Sequence, residues 1–319
     1  MKKHKSIVEW VEEYLAQRRS LGFRLQSDGE LLLHFAKYVS GSAHQGPLNA
    51  ELMLRWVRLP HKASPSYLIR RLATIRSFAK YLATYEPKTE IPPRSMLGVV
   101  YRRPEPYIYS EQEIIDLLRG CGNLTPRKGL RPRTYRTIFA LLAVTGLRIS
   151  EALKLHRNDV DLTQGVLTIR ETKFRKSRLA PVHDTTRQAL HRYADQRDKY
   201  FQTSRAETFF VSEKGGSLPY STVRGVFRGL RQQLGWEYHN RRSPRIQDLR
   251  HSFACRRILL WYEQGVDVDQ FMPILSTYLG HAKVTDTYWY LTGTPELLAV
   301  TAERFEHYIQ PEKEANRES

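Results

Sequence analysis

Apolar residues recur roughly every three to four positions along most of this chain, the spacing of helices with one buried face. Ile7, Trp10, Val11, Tyr14 and Leu15 predict a first helix, and Leu31, Leu32, Phe35, Tyr38 and Val39 a second. A third, shorter helix is expected near 49–57. Ser64 then offers an N-cap and Pro65 an N1 residue for a fourth, with Leu68, Leu72, Ile75, Ala79 and Leu82 on one face. Arg70, Arg71, Arg76 and Lys80 fall largely off that face. Periodicity lapses from 86 to 106, where Pro87, Pro92, Pro93, Pro104 and Pro106 read as an extended linker between domains.

Beyond the linker, Ser110 and Glu113 form a capping-box pattern ahead of Ile114, Ile115, Leu117 and Leu118. A helix over about 133–145 is expected to stop at Gly146. Three short β-type runs follow, at 159–162, 166–169 and 178–182, with Gln164-Gly165 as a turn, so a small three-stranded antiparallel sheet is predicted. Helical spacing returns at 184–200, 221–234, 247–264 and 295–309. The expected fold is mainly α with a small antiparallel β-sheet (α+β), with a helical domain at 1–104 and a second domain at 105–319.

Two domains also suit 319 residues, more than one hydrophobic core usually supports. Lys and Arg number 51 against 33 acidic residues, a formal charge of +18, of which +10 falls within residues 1–104 and +8 in the remainder. Such a surplus points to nucleic acid as partner. In that setting Arg70, Arg71, Arg76 and Lys80 read as phosphate contacts, although a solvated helix surface has the same pattern. No run approaches the roughly 18 apolar residues of a membrane span, so no membrane role and a cytoplasmic location are expected. Cys121 and Cys255 stand far apart with no zinc-ligand spacing, and read as reduced core thiols. Neither metal nor cofactor is expected.

Three local runs concentrate chemistry: Thr145-Gly146-Leu147-Arg148-Ile149-Ser150-Glu151, Asp248-Leu249-Arg250-His251, and Leu279-Gly280-His281 with Tyr290 nine residues on. In order, context and spacing they resemble the tyrosine recombinase, or phage-type integrase, family, and the resemblance covers 105–309. It implies a single site made of Arg148, Arg250, His281 and the nucleophile Tyr290. It also implies a lysine at a hairpin tip, which falls on Lys173, with Lys176 as the fallback. Arg175 and Lys176 on the same tip read as further DNA contacts. One position departs from the pattern: Gln247 stands where the family usually has histidine, three residues before Arg250.

The residue types suit the chemistry. A tyrosine hydroxyl attacking phosphorus passes through a pentacoordinate, highly charged state that fixed cationic donors stabilise, and planar guanidiniums match its nonbridging oxygens. An ammonium can protonate the departing 5′ oxygen, the role given to Lys173. His281 can donate a further hydrogen bond. Gln247 can hydrogen-bond but cannot carry a proton as imidazole does. Glu151 reads as support for Arg148. His251, about 100° round the helix from Arg250, reads as structural. Tyr288 lies about 200° from Tyr290 on a helix and reads as a packing aromatic, with Tyr278 the weakest nucleophile candidate.

The leading expectation is a site-specific recombinase or integrase working through a 3′-phosphotyrosyl intermediate for a mobile element. By resemblance it is expected to grip double-stranded DNA as a C-shaped clamp and to assemble as a homotetramer at synapsis, with accessory proteins as further candidate partners, and its helix at 295–309 docks into a neighbour or packs in place. The alternatives are a catalytically weakened DNA-binding accessory factor and a type IB topoisomerase-like enzyme.

Overall fold

The computed structural model describes residues 5–42, 44–98, 106–170, 177–201, 206–236 and 243–292. The chain divides into two compact units, Met1–Pro104 and Glu105–Ser319.

Unit 1 is built from α1 (Ile7–Ser20), α2 (Gln26–Ser40), α3 (Ala50–Arg58) and α4 (Pro65–Leu82). Polar residues define three of the four helix starts, and α2 begins instead after Leu25 in a left-handed conformation. Ser6 and Glu9 form a capping box on α1, Asn49 accepts from the Leu52 amide at 2.8 Å, and Ser64 caps α4 ahead of Pro65. Inside, Leu32, Phe35, Met53, Trp56, Ile75 and Phe78 are buried together.

Two expectations change here. Arg71 is only 4% exposed: its guanidinium lies 3.4 Å from the centroid of the Trp56 ring and donates to the Trp56 carbonyl at 2.7 Å. It belongs to the core, and its reading as a phosphate contact is withdrawn. Leu68, Arg71, Ile75, Phe78 and Leu82 form one row of helical spacing, so Arg71 occupies a core position by phase. The stretch from Glu86 is also not a free linker as far as Gly98. The Glu90 amide donates to the Leu48 carbonyl at 2.9 Å, and a 3-10 turn at Arg94–Leu97 sets Met96 and Leu97 against the unit's core. Prolines prevent helix there without preventing such pinning.

Unit 2 contains α5 (Glu111–Cys121), α6 (Arg131–Thr145), α7 (Ile149–Leu153), a sheet, then α8 (Asp184–Tyr200), α9 (Tyr220–Gln233), α10 (Ile246–Glu263), α11 (Val268–Leu279), α12 (Thr285–Tyr288) and a closing 3-10 turn at Trp289–Thr292. The antiparallel sheet runs β1 (Val160–Asp161), β2 (Val166–Ile169), β3 (Arg178–Pro181), with Val160 opposite Leu167 and Leu167 opposite Ala180. Leu167, Ile169 and Ala180 face the core, which gathers round Ile138, Phe139, Leu141 and Leu142 of α6. α10 contributes Ile246 and Leu249 to that core and Ala254, Cys255 and Ile258 to a second cluster with α11 and Tyr290. From 246 to 256 it exposes no residue because it joins two apolar bodies, and its last turns expose Arg257, Leu260 and Glu263. Both cysteines are buried free thiols.

Helices α7 and α11 were not expected. α7 is too short to display a period. α11 carries Pro273 in its interior, a residue that normally argues against helix, yet Val268, Met272, Leu275 and Leu279 still bury one face. Among the described residues, no helix is long and apolar enough to cross a membrane. The helix expected at 295–309 lies outside the described residues.

Candidate active site

The site forms where α6, α7, α10 and α11 end or begin beside one another. α6 stops at Gly146, whose φ of +63° is the left-handed conformation glycine tolerates best. A side chain there would also collide with Phe253, whose ring carbon lies 2.5 Å from the place of a Cβ. The chain turns, and Arg148 becomes the residue ahead of α7. Its amide donates to Glu151 Oε2 at 3.1 Å and its Nη1 to Oε1 at 2.8 Å.

α10 supplies Arg250, which is 2% exposed. Its Nη1 donates to the Gly146 carbonyl at 2.7 Å and its Nη2 to the Leu279 carbonyl at 2.8 Å. Burial, then the charge of Arg148, lower its pKa to about 10, while the adjacent Tyr290 hydroxyl, partly through a hydrogen bond, pulls it upward. Arg250 therefore stays charged at neutral pH.

α11 ends at Gly280, with φ +69°, and its last carbonyls form a ladder of acceptors. Tyr278 accepts from Arg178 Nε at 2.8 Å, Leu279 from Arg250 at 2.8 Å, and Gly280 from Arg148 Nη2 at 3.3 Å. Three guanidiniums thus meet the negative end of one helix dipole. Arg178, at the start of β3, also grips Glu151 with Nη1 at 3.2 Å and Nη2 at 2.8 Å. Burial raises the Glu151 pKa, but hydrogen bonds and charge from Arg178, then from Arg148, outweigh it, and the carboxyl lies below its ordinary value.

His281 follows that turn. Its Nδ1 is 2.6 Å from the hydroxyl of fully buried Thr287, and its ring stacks on Tyr290 with centroids 6.0 Å apart and planes 23° apart. Tyr290, in the closing 3-10 turn, is 3% exposed. Tyr288 is exposed instead and donates to Asp269 Oδ1 at 3.2 Å, so it is a surface residue and not a packing aromatic. Tyr278 packs on Phe253 and donates to the Pro181 carbonyl at 3.3 Å.

Of the expected residues, the fold brings Arg148, Arg250, His281 and Tyr290 together, with Glu151 behind Arg148. His251 is closer to the centre than helical phase suggested: its ring lies 5.5 Å from Tyr290 and 5.4 Å from Trp289. It contacts Tyr290 because the 3-10 turn folds back over α10. Gln247 is half-buried and has no side-chain hydrogen bond among the described residues. Lys173, Arg175 and Lys176 lie outside the described residues. In unit 1, Arg70 is exposed but engaged with Asp28 at 2.7 Å, while Lys80 is exposed and Arg76 half-buried. Arg18, Arg70 and Lys80 line a groove of about 610 Å³ between α1, α2 and α4. Sequence reading missed Arg178 and Thr287; an Arg opening a strand whose next-but-one residue points to the core was the available signal for the first. Among the described residues no cluster of His, Cys, Asp or Glu could hold a metal ion.

Two helix termini held by buried Arg250 and half-buried Arg148, with an imidazole and a covered tyrosine, set cationic donors beside a hydroxyl, an arrangement that can stabilise negative charge. The chain belongs to the phage integrase family, whose sequence profile matches residues 111–296. It is 40% identical over 302 residues to the putative integrase/recombinase y4rB of Sinorhizobium fredii, covering 93% of this chain and 96% of that one. Tyrosine recombinase XerD of Staphylococcus haemolyticus is 28% identical over 72% of each chain. In fold, the chain is similar to the Tn1549 transposon integrase solved with transposon right end DNA (TM-score 0.68, 16% identity, 95% and 99% coverage) and to lambda integrase solved as a tetramer on a Holliday junction (TM-score 0.64, 15% identity, 91% and 78% coverage).

Proposed function

We propose that the protein is a site-specific DNA recombinase that cleaves and rejoins duplex DNA through a 3′-phosphotyrosyl intermediate, serving a mobile element. The observation that carries this reading is the convergence of Arg148, Arg250, His281 and Tyr290 at the α11 terminus from three separate stretches of chain.

Tyr290 Oη gives up its proton to solvent as it attacks the scissile phosphorus; the new O–P bond forms as the bond to the 5′ oxygen breaks, and that oxygen leaves with a proton. Arg148 and Arg250 neutralise the nonbridging oxygens as charge builds, and each is already aimed by carbonyls that do not move with the substrate. His281, steadied by Thr287, donates to the same phosphate. Lys173 supplies the leaving-group proton. Because Arg250 and Tyr290 are covered, the DNA phosphate must open the site as it enters. The phosphotyrosyl bond retains the energy of the bond it replaced, so a 5′ hydroxyl from a partner strand reverses the step without a cofactor. Double-stranded DNA as substrate and a tetramer at synapsis complete this reading: exchange between two duplexes breaks four strands, one for each tyrosine.

The test is adduct formation on nicked suicide duplexes tiling the DNA that flanks the protein's own gene, read on a denaturing gel. Wild type is expected to form a covalent adduct, Tyr290→Phe none, and Gln247→His to form it faster than wild type. DNA binding without an adduct in any of the three sinks the enzyme reading and leaves a DNA-binding factor.

A further inference from the structure

We propose that Arg178 is a positioning residue for strand cleavage, setting the plane of the Arg148 guanidinium through Glu151 and the α11 terminus; this rests on the recombinase reading above. Arg178 was singled out by no motif, yet its side chain is 9% exposed and every nitrogen of its fork is committed. Nη1 and Nη2 hold the two oxygens of Glu151 at 3.2 and 2.8 Å, and Nε holds the Tyr278 carbonyl at 2.8 Å. Gly280 lies flat against the same guanidinium, since a Cβ there would come within 2.6 Å of Nη1.

The consequence concerns Arg148. Glu151 gives Arg148 an oxygen through Oε1, and Gly280 gives it a carbonyl. Those are the two acceptors that fix its orientation; Arg178 holds the first through two hydrogen bonds and packs against the backbone of Gly280, which carries the second. Without Arg178, Glu151 could swing to form a symmetric pair with Arg148, spending the donors meant for phosphate. A lysine could keep the charge but not the planar three-point grip. A merely structural arginine would stabilise the fold without affecting which donors Arg148 presents.

The experiment is a double-mutant cycle in adduct formation, on the duplex that wild type cleaves, using Arg178→Ala, Arg148→Lys and the double variant. Arg178→Ala is expected to lose about 100-fold in cleavage rate, the scale on which a misplaced catalytic group costs, with duplex affinity unchanged. In the Arg148→Lys background the same change is expected to add nothing, because lysine has no plane to set. Rates that multiply, or wild-type cleavage by Arg178→Ala, overturn the role. If Arg178→Ala fails to fold by circular dichroism, Arg178→Lys takes its place in the cycle: a slow, folded Arg178→Lys supports the proposal and a wild-type rate overturns it. Absence of any wild-type adduct is a separate result that removes the recombinase reading and this role with it.

Discussion

At the scale of single residues, Glu151 illustrates how burial and charge compete. A carboxylate 7% exposed is held ionised by two guanidiniums, and its pKa lies below the ordinary 4.5. A carboxyl whose pKa is lowered on folding adds stability that is complete above its unfolded pKa and disappears as pH falls through the folded one. Glu151→Gln is therefore expected to be less stable than wild type at neutral pH, with the gap shrinking as pH drops below about 4.5. Urea midpoints of the two proteins between about pH 7 and pH 3 check this, and a gap that does not change with pH counts against the paired carboxylate. The sequence named Glu151 correctly as a neighbour of Arg148, because three residues in a capping-box turn bring side chains together locally. It could not name Arg178, which reaches Glu151 across 27 residues of chain.

At the scale of elements, the site depends on where helices stop. Gly146 and Gly280 end α6 and α11 in the left-handed region, and their carbonyls are acceptors for Arg250 and Arg148. Gly280→Ala is expected to cost about 1–2 kcal/mol from the backbone alone, with a further loss from displacing the Arg178 guanidinium. A lowered denaturant midpoint together with an adduct rate reduced far more than DNA affinity is the expected signature; a stable, active Gly280→Ala excludes the tight approach to Arg178. Most long helices were legible from period, and Ser64 and Ser110 mark the starts of two of them. α7 has too few residues to show a period, and Pro273 masked α11. The return of the closing 3-10 turn onto α10, which sets His251 against Tyr290, has no local signal.

At the scale of the whole molecule, charge and core separate the roles of arginines that look alike in sequence. The +18 surplus makes DNA affinity strongly salt dependent on the recombinase reading. Lys80→Ala is expected to reduce the slope of log affinity against log salt by about 1, as for one lost phosphate contact, with little change in melting temperature. Arg71→Ala is expected to do the reverse, lowering stability by about 1–3 kcal/mol through lost packing on Trp56 and leaving the slope unaltered. Fluorescence anisotropy across about 50–200 mM salt and thermal melts distinguish the two; a reduced slope in a stable Arg71→Ala returns Arg71 to the surface. What the sequence determined by itself was whatever depends on near neighbours: helix faces, caps, the sheet's short strands, and a set of runs whose order marks the family. What only the tertiary structure decided was which of many basic residues are buried and what they hold. An arginine's side chain is long enough to serve solvent, DNA or a distant carbonyl from the same position, and only packing selects among them: α3 against α4 for Arg71, and α10, α11 and β3 for Arg250 and Arg178.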